Sequence, residues 1–383
     1  MRRAVFVILP ILLFAFATPA LAKGHHVPGE FPTIQAAVDA AEEGDRVIIH
    51  KGPYAENVVI ADKVDVQILG RKRPDIEPPA GAPAFTFINC RKVKVKGVNI
   101  VNAGTHAIVL RDCDDGRVKN VRIKGREGGS AGDGVRIEGG RTYRVRKCTI
   151  QDVAGSAVHA TDGGSGPARR VEVWKNKIRR IGQHGVFIAG EAYHEVRKNE
   201  FEECGWAVAL GPDTFESRAS ENRISDCTLG ALDIAGTSNL CRKNRVRRVQ
   251  GDGILVSGTD CWVRMNRLKK VEGDGIRVSG EANLIKGNKT NEVGGDGRVI
   301  EGVGHYVHRE KGKKAEGRGI VLFASDSEIR GCEAGGSGSD GFVVDAAAAG
   351  NLIWNNSTSN SAGDGLVDGS PEGANEYKSN SFR

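Results

Sequence analysis

Leucine is scarce in this chain, and the segments between successive turn signals are too short for a helix to carry the backbone back. Both absences argue against leucine-rich repeats, because an isolated helix shorter than about 12 residues is marginal. Past residue 22 there is no apolar run of the roughly 20 residues that a membrane span needs. The eight cysteines show no zinc-type spacing. The first 22 residues, MRRAVFVILPILLFAFATPALA, combine two arginines, an apolar run and an Ala-Leu-Ala ending. That pattern predicts a secretory signal peptide, residues 1–22, cut after Ala22. The mature protein is then expected to be exported, periplasmic or extracellular, monomeric and without an integral membrane segment.

What the chain has in abundance is glycine, 52 residues, and many of them fall in register. Gly253, Gly275, Gly297, Gly319 and Gly341 are spaced 22 residues apart. A second column holds Asn176, Asn199, Asn222, Asn244, Asn266 and Asn288, continues through Glu310 and Cys332, and ends at Asn356 and Asn380. An apolar residue stands three positions before most of them, as in Val173, Val196, Val263 and Ile285. A fixed period of this length means stacked units that complete one another's core. Only about eight residues separate an Asn from the next Gly, so each unit is read as three short strands with Gly, Asn and Asp at the corners. The predicted fold is all-β, a right-handed parallel β-helix with about 22-residue coils. From Ala84 onward about 13 coils would form one domain roughly 60 Å long. Inward asparagines would hydrogen-bond from coil to coil along the stack.

Residues 30–60 have a different character. Pro32 suits a first helical position, Ile34, Ala37, Val38 and Ala41 make one apolar stripe, and Gly44 ends the helix. The helix is followed by Gly44-Asp45-Arg46-Val47-Ile48-Ile49 and Gly52-Pro53-Tyr54-Ala55-Glu56. This arrangement resembles the N-terminal cap and first coil of the pectate-lyase-like superfamily. The downstream repeats resemble the bacterial β-helix domains of polysaccharide lyases, mannuronan C5-epimerases and a periplasmic copper-processing protein. The resemblance spans residues 30–383 and implies the β-helix fold, with residues 23–383 as one domain. It transfers no catalytic residue, since the Asp-Pro-His-Asp/Glu motif of the epimerases, the polygalacturonase motifs and a clear pectate-lyase calcium cluster are all missing.

Function is therefore sought in what points outward. The coils that start at Ala107 and Ala157 are lengthened by REGGSAG and DGGSGPARR, and long solenoid loops build walls around a surface. Two positions past each anchor lie Val109, Arg136, His159 and Phe187; four past lie Arg111, Glu138 and Thr161. Arg111, Arg136, Glu138 and His159 are thus the candidate catalytic residues. Phe187, Trp206, His184 and Asp162 are the candidate substrate-binding residues. Arginines neutralise a uronate carboxylate, an imidazole moves a proton, and aromatic faces stack on sugar rings. The predicted function is to bind an acidic polysaccharide or to modify it by lyase or C5-epimerase chemistry. The alternatives are a solvated patch in which Glu138 pairs with an arginine, and a non-catalytic scaffold.

Charge and metal signals complete the reading. The chain carries a formal net charge of +7. Basic residues beside the Asn column, among them Arg146, Lys147, Arg197, Arg242, Arg264 and Arg330, project as one stripe. It suits an acidic polysaccharide rather than nucleic acid, or simply keeps the rod soluble. The Asp-Gly pairs at 133, 252, 274, 296, 340 and 364 read as turns, with a Ca2+ ladder as the alternative. A mature N-terminus of Lys23-Gly24-His25, with His26 next, offers Cu2+ an amine, amides and an imidazole. Cys90/Cys113 and Cys204/Cys227 fall on adjacent coils within disulfide reach, while Cys148, Cys241 and Cys332 read as buried. Arg298 and Glu310 break their columns in one coil, so either they pair inside it or the coil is distorted, and His305 reads as ordinary strand.

Overall fold

The computed structural model describes residues 22–125 and 132–383, and in it the chain winds into a parallel β-solenoid. The expected signal peptide, apart from Ala22, lies outside the described residues, as does the loop 126–131 that supplies most of REGGSAG. Each coil lays down up to three strands, for example Asp252–Val256, Trp262–Arg264 and Arg267–Val271. The second strands stack into one 16-stranded sheet, while the first and third strands share a 26-stranded network. Every strand meets its counterpart in the next coil in parallel, so Val256, Val278, Ile300, Leu322 and Val344 form one buried column. With about 4.8 Å between strands, 16 of them make a rod of ~70 Å.

Two physical requirements explain the repeat. At Gly275 and Gly297 a Cβ would lie 2.5 and 2.4 Å from the carbonyl oxygen of the anchor glycine one coil on, so close backbone approach selects glycine. The asparagines form the expected ladder. Asn266 Oδ1 accepts from the backbone N–H of Asn244 (2.9 Å), and Asn288 Oδ1 accepts from that of Asn266 (2.8 Å). The side-chain amide of Asn266 donates to Cys241 O and Asn288 Oδ1, so no buried amide in this turn is left unpaired. Cys148 and Cys332 take ladder positions as buried small residues and donate their N–H groups to Asn176 and Asn356.

A second ladder runs on the other side of the second strand, and the sequence reading did not identify it. Its members include Asn239, Cys261, Asn283, His305, Ser327 and Asn351. His305 is accordingly not an ordinary strand residue. It is fully buried, its Nδ1 accepts from Asn283 N (3.1 Å), and its Nε2 lies 2.7 Å from Glu301 O. Arg298 and Glu310 pair at 3.0 Å with both side chains fully buried. Glu310 also accepts the Asn288 N–H in the place of a ladder amide.

The cap helix spans Ile34–Ala40 and buries Ile34, Ala37 and Val38. Its N-cap is Thr33, whose hydroxyl accepts from Ala36 N, so Pro32 precedes the helix instead of opening it. Glu56 accepts the N–H groups of Ile34 and Gln35, which satisfies the exposed helix start. The helix ends at Ala40, with Ala41 as its C-cap, ahead of Gly44. The residues before it are not a loose tail: Gly24–Val27 is a strand paired with Arg46–Ile49. No helix among the described residues is long and apolar enough to cross a membrane. The eight cysteines are buried thiols, and Cys90/Cys113 and Cys204/Cys227 stack as neighbours in adjacent coils.

Candidate functional site

Parallel register assembles the site from residues 20 to 30 apart in sequence. Arg111 sits beside Glu138, Arg136 beside His159, and His159 beside Phe187. Outward orientation follows from strand alternation, since Val135, Ile137, Val158 and Ala160 fill the core between them. Thus the four candidate catalytic side chains do converge. Glu138 bridges both arginines, accepting from Arg111 Nε at 2.7 Å and Arg136 Nε at 3.3 Å. Arg136 Nη1 reaches His159 Nδ1 at 2.8 Å. The side chains of Arg111, Arg136 and His159 are 47%, 23% and 20% exposed, so this surface is open to solvent.

At the centre lies Asp133, which the sequence reading took for a turn residue. Its Oδ1 accepts the Ser156 N–H at 2.8 Å, while its Oδ2 is 3.2 Å from both Arg136 Nη1 and His159 Nδ1. Burial opposes ionisation, but the hydrogen bonds from His159 and Ser156 and the nearby imidazoles outweigh it and hold the carboxyl below its usual range. His106, also unforeseen, accepts the Asp133 N–H through Nδ1 at 2.9 Å. Because a backbone N–H can only donate, the proton of neutral His106 is on Nε2. Burial lowers the basicity of His106, and burial together with the neighbouring His159 does the same for His184.

The aromatic side of the site follows in the next coils. Phe187 meets His159 edge-on at 5.0 Å between ring centroids and His184 at 5.0 Å in a tilted stack. Trp206 pairs in register with His184, and its ring covers Gly230, where a Cβ would be 2.2 Å away. Long strands, Lys177–Ile188 and Glu200–Leu210, carry both residues through the corner without a break. His106, Asp133, Ser156, His184 and Trp206 form a single column one residue before the anchors. That offset from the anchors is the sequence signal that marks Asp133 and His106.

Three candidates are not brought to the cluster. Asp162 is exposed and makes no hydrogen bond or ion pair among the described residues. The loop it opens folds into a tight turn, Gly163 to Gly166, and is pinned by Ser165, which donates to Asp112 Oδ1 through N (2.8 Å) and Oγ (2.6 Å). It forms a rim at the Arg111–Glu138 end. His25 and His26 point to opposite faces of their strand. His25 Nε2 is 2.8 Å from Asp45 Oδ2, whereas His26 Nδ1 is 2.8 Å from His50 Nε2. In this structure the His25 ring is turned to Asp45 from a strand paired with Arg46–Ile49.

The Asp-Gly column proves to be a third hydrogen-bond ladder. Asp252 Oδ1 accepts the Asp274 N–H, Asp274 Oδ1 that of Asp296, and Asp296 Oδ1 that of Arg318, at 2.8, 2.8 and 2.7 Å. Their second oxygens at Asp274 and Asp296 are taken by Arg277 and Arg318. Among the described residues no group of three or more His, Cys, Asp or Glu side chains is arranged to hold a metal.

Known structures share this architecture. A polysaccharide lyase of family PL6 from Pseudopedobacter saltans superposes with a TM-score of 0.61 at 13% identity, covering 76% of this chain and 84% of that one. The A-module of a mannuronan C-5 epimerase from Azotobacter vinelandii gives 0.53 at 12% identity over 91% and 93% of the two chains. The catalytic domain of a GH87 α-1,3-glucanase gives 0.54 at 12% identity, covering 94% of this chain and 69% of that one. No curated protein matches the sequence. The sequence itself matches the family described as "Right handed beta helix region" over residues 84–176, 133–266 and 162–311, which together span more than half of the chain. With the coil register and ladders in place, this chain belongs to the right-handed β-helix family.

Proposed function

We propose that this is an exported protein that acts on an acidic polysaccharide at the face built around His159. The observation that supports the reading most directly is the placement of His159, with its Nδ1 edge held by Asp133 and Arg136 and its ring against Phe187. Its Nε2, 3.4 Å from Arg136 Nη1, is the ring nitrogen less closely held and the one that would exchange a proton with a ligand. If Nδ1–H donates to Asp133, Nε2 is a base; if Nδ1 accepts from Arg136, Nε2–H is an acid. One ring can therefore take a proton or deliver one, as general acid–base chemistry requires.

The terminal nitrogens of Arg111 and the Nη2 of Arg136 make no hydrogen bonds among the described residues, and both can take a uronate carboxylate. Such a pair lowers the charge on the carboxylate when the neighbouring C5 proton is removed by His159. In a β-elimination the C4–O4 bond then breaks and the leaving oxygen takes a proton; in an epimerisation a proton returns to C5 from the opposite face. Phe187 and Trp206 supply apolar surface for adjoining sugar rings. The polysaccharide lyase and epimerase structures similar to this chain agree with that substrate class. The test incubates the mature protein with a panel of polyuronates, following ultraviolet absorbance of unsaturated ends and sugar configuration by NMR. Turnover lost in His159→Ala supports the reading; turnover that survives in that variant places the chemistry elsewhere.

A further inference from the structure

The second-strand sheet carries a separate feature that the His159 site does not use. Register places Lys96, Lys119, Arg146, Trp174 and Arg197 in one outward column; the buried Ser220 interrupts it, and it resumes through Arg242, Arg264, Lys286, His308, Arg330, Trp354 and Lys378. Cations therefore recur at the coil spacing of about 4.8 Å, and tryptophans interrupt them. Trp174 is flanked by Arg146 at 5.4 Å, Arg197 at 5.5 Å and Lys175 at 4.5 Å from its ring centroid. Arg330 lies 3.7 Å over Trp354.

Around Trp174 this stripe deepens into a cleft of about 360 Å³ lined by Lys94, Arg117, Lys119, Arg144, Arg146 and Lys147. Two carboxylates answer these six cations: Asp115 pairs with Arg117 and Arg144, and Glu172 with Arg146. Lys94, Lys119 and Lys147 have no carboxylate in ion-pair range among the described residues. Burial and then the crowd of Lys96, Lys119, Arg117 and Arg46 push the Lys94 ammonium below its ordinary range. Folding has gathered like charges in a recess at an electrostatic cost, and an anion in the recess would remove it.

We infer that the cleft at Trp174, extended by the cationic column, is a second binding site that takes an acidic polysaccharide along the rod. Carboxylates also line this sheet, with Glu172 and Glu195 in the adjacent outward column. A glycan satisfies both signs, because its hydroxyls donate to Glu while its acid groups meet Arg and Lys. A DNA backbone offers a continuous row of acceptors and no hydroxyl donors, so the same carboxylates disfavour it. Trp174 adds an apolar face for a pyranose ring. This site stands independently of the chemistry proposed at His159, which lies on another sheet.

The experiment measures binding of a polyuronate, of heparin and of a single-stranded oligonucleotide of matched charge to the folded mature chain at low and moderate salt. The variants are Lys94→Ala/Lys119→Ala/Lys147→Ala, Trp174→Ala and, as the control in the later coils, Arg277→Met. The expected result is glycan binding that falls with salt, weakens by about tenfold in the triple variant, as three lost exposed pairings predict, and is unchanged in Arg277→Met. Circular dichroism of the variants separates loss of binding from loss of fold. Oligonucleotide binding as tight as that of the glycans overturns the assignment of ligand. Absence of glycan binding at low salt, or binding as tight in the triple variant and in Trp174→Ala as in the unsubstituted chain, overturns the site itself.

Discussion

The coils from Ala107 to Ala207 and the regular coils from Gly253 to Gly341 use the same ion-pair device, and only the former surround it with imidazoles. Arg136 reaches Asp133 three residues earlier and Glu138, as Arg277 reaches Asp274 three residues earlier and Glu301. Each aspartate also holds a neighbouring coil's N–H. An arginine paired to a ladder aspartate is therefore a structural motif of this solenoid, which bears out part of the plain reading of Glu138 as a pairing partner. What distinguishes the early coils is His159, flanked by His106, His184 and Phe187. In the later coils the same column reads Leu255, Arg277, Val299, Val321 and Val343, without an imidazole.

The sharpest way to break this comparison is at the imidazole. Replacing His159 with Gln keeps the packing against Phe187 and is expected to reduce polyuronate turnover by about 10²–10⁴-fold, the usual contribution of a positioned acid–base group. Arg277→Met, in the matching pair of the later coils, is expected to leave turnover unchanged; equal losses in both would erase the distinction. In stability the order reverses, and the largest effect is predicted in the regular half. Glu310→Ala leaves Arg298 buried without its partner, which is expected to cost about 3–5 kcal/mol in urea unfolding. Restoring the column residues together, Arg298→Ile with Glu310→Asn, should recover most of it, and a double variant as unstable as the single one refutes the pairing argument.

Protonation gives a third comparison, because the buried ladders contain histidines. His194 is 2% exposed, and burial lowers its pKa from 6.5 to about 4. The folded state prefers the neutral ring, so this stability is fully present above pH 6.5 and is lost as the pH falls through about 4. The expected loss is about 3 kcal/mol, measured as the urea midpoint against pH, and His194→Asn should flatten that part of the curve. The smallest effect is predicted for Asp274→Asn. The amide oxygen still accepts the Asp296 N–H, so only the half-exposed pairing with Arg277 is lost, at about 1 kcal/mol or less. A larger loss means that the charge, and not only the ladder, holds the turn.

Much of the fold was legible because a solenoid writes its geometry into spacing. The 22-residue interval of Gly253 to Gly341 reports direct stacking of coils, and an amide at a fixed offset reports the ladder. The same arithmetic found the column Val109, Arg136, His159 and Phe187, since alternation in a strand decides which side chains leave the core. It failed where residue type misled. Asp133 before Gly134 reads as a turn residue, and its additional contacts with His159 and Arg136 depend on rotamers that spacing does not specify. His305 was misplaced because its ladder is mixed, with Asn283 before it and Ser327 after it, and so gives no repeated letter.

Sequence alone determined the period, the inward and outward columns and the cap stripe, because one-dimensional stacking converts position in a coil directly into position in space. Only the tertiary structure decided how side chains within those columns turn toward one another. It put Asp133 between Arg136 and His159, folded the 163–166 loop onto Asp112, and sent His25 inward to Asp45. The reason is physical: register is set by backbone hydrogen bonds that any sequence of this period makes, whereas side-chain contacts are chosen by charge, burial and rotamer among neighbours up to 53 residues away in the chain.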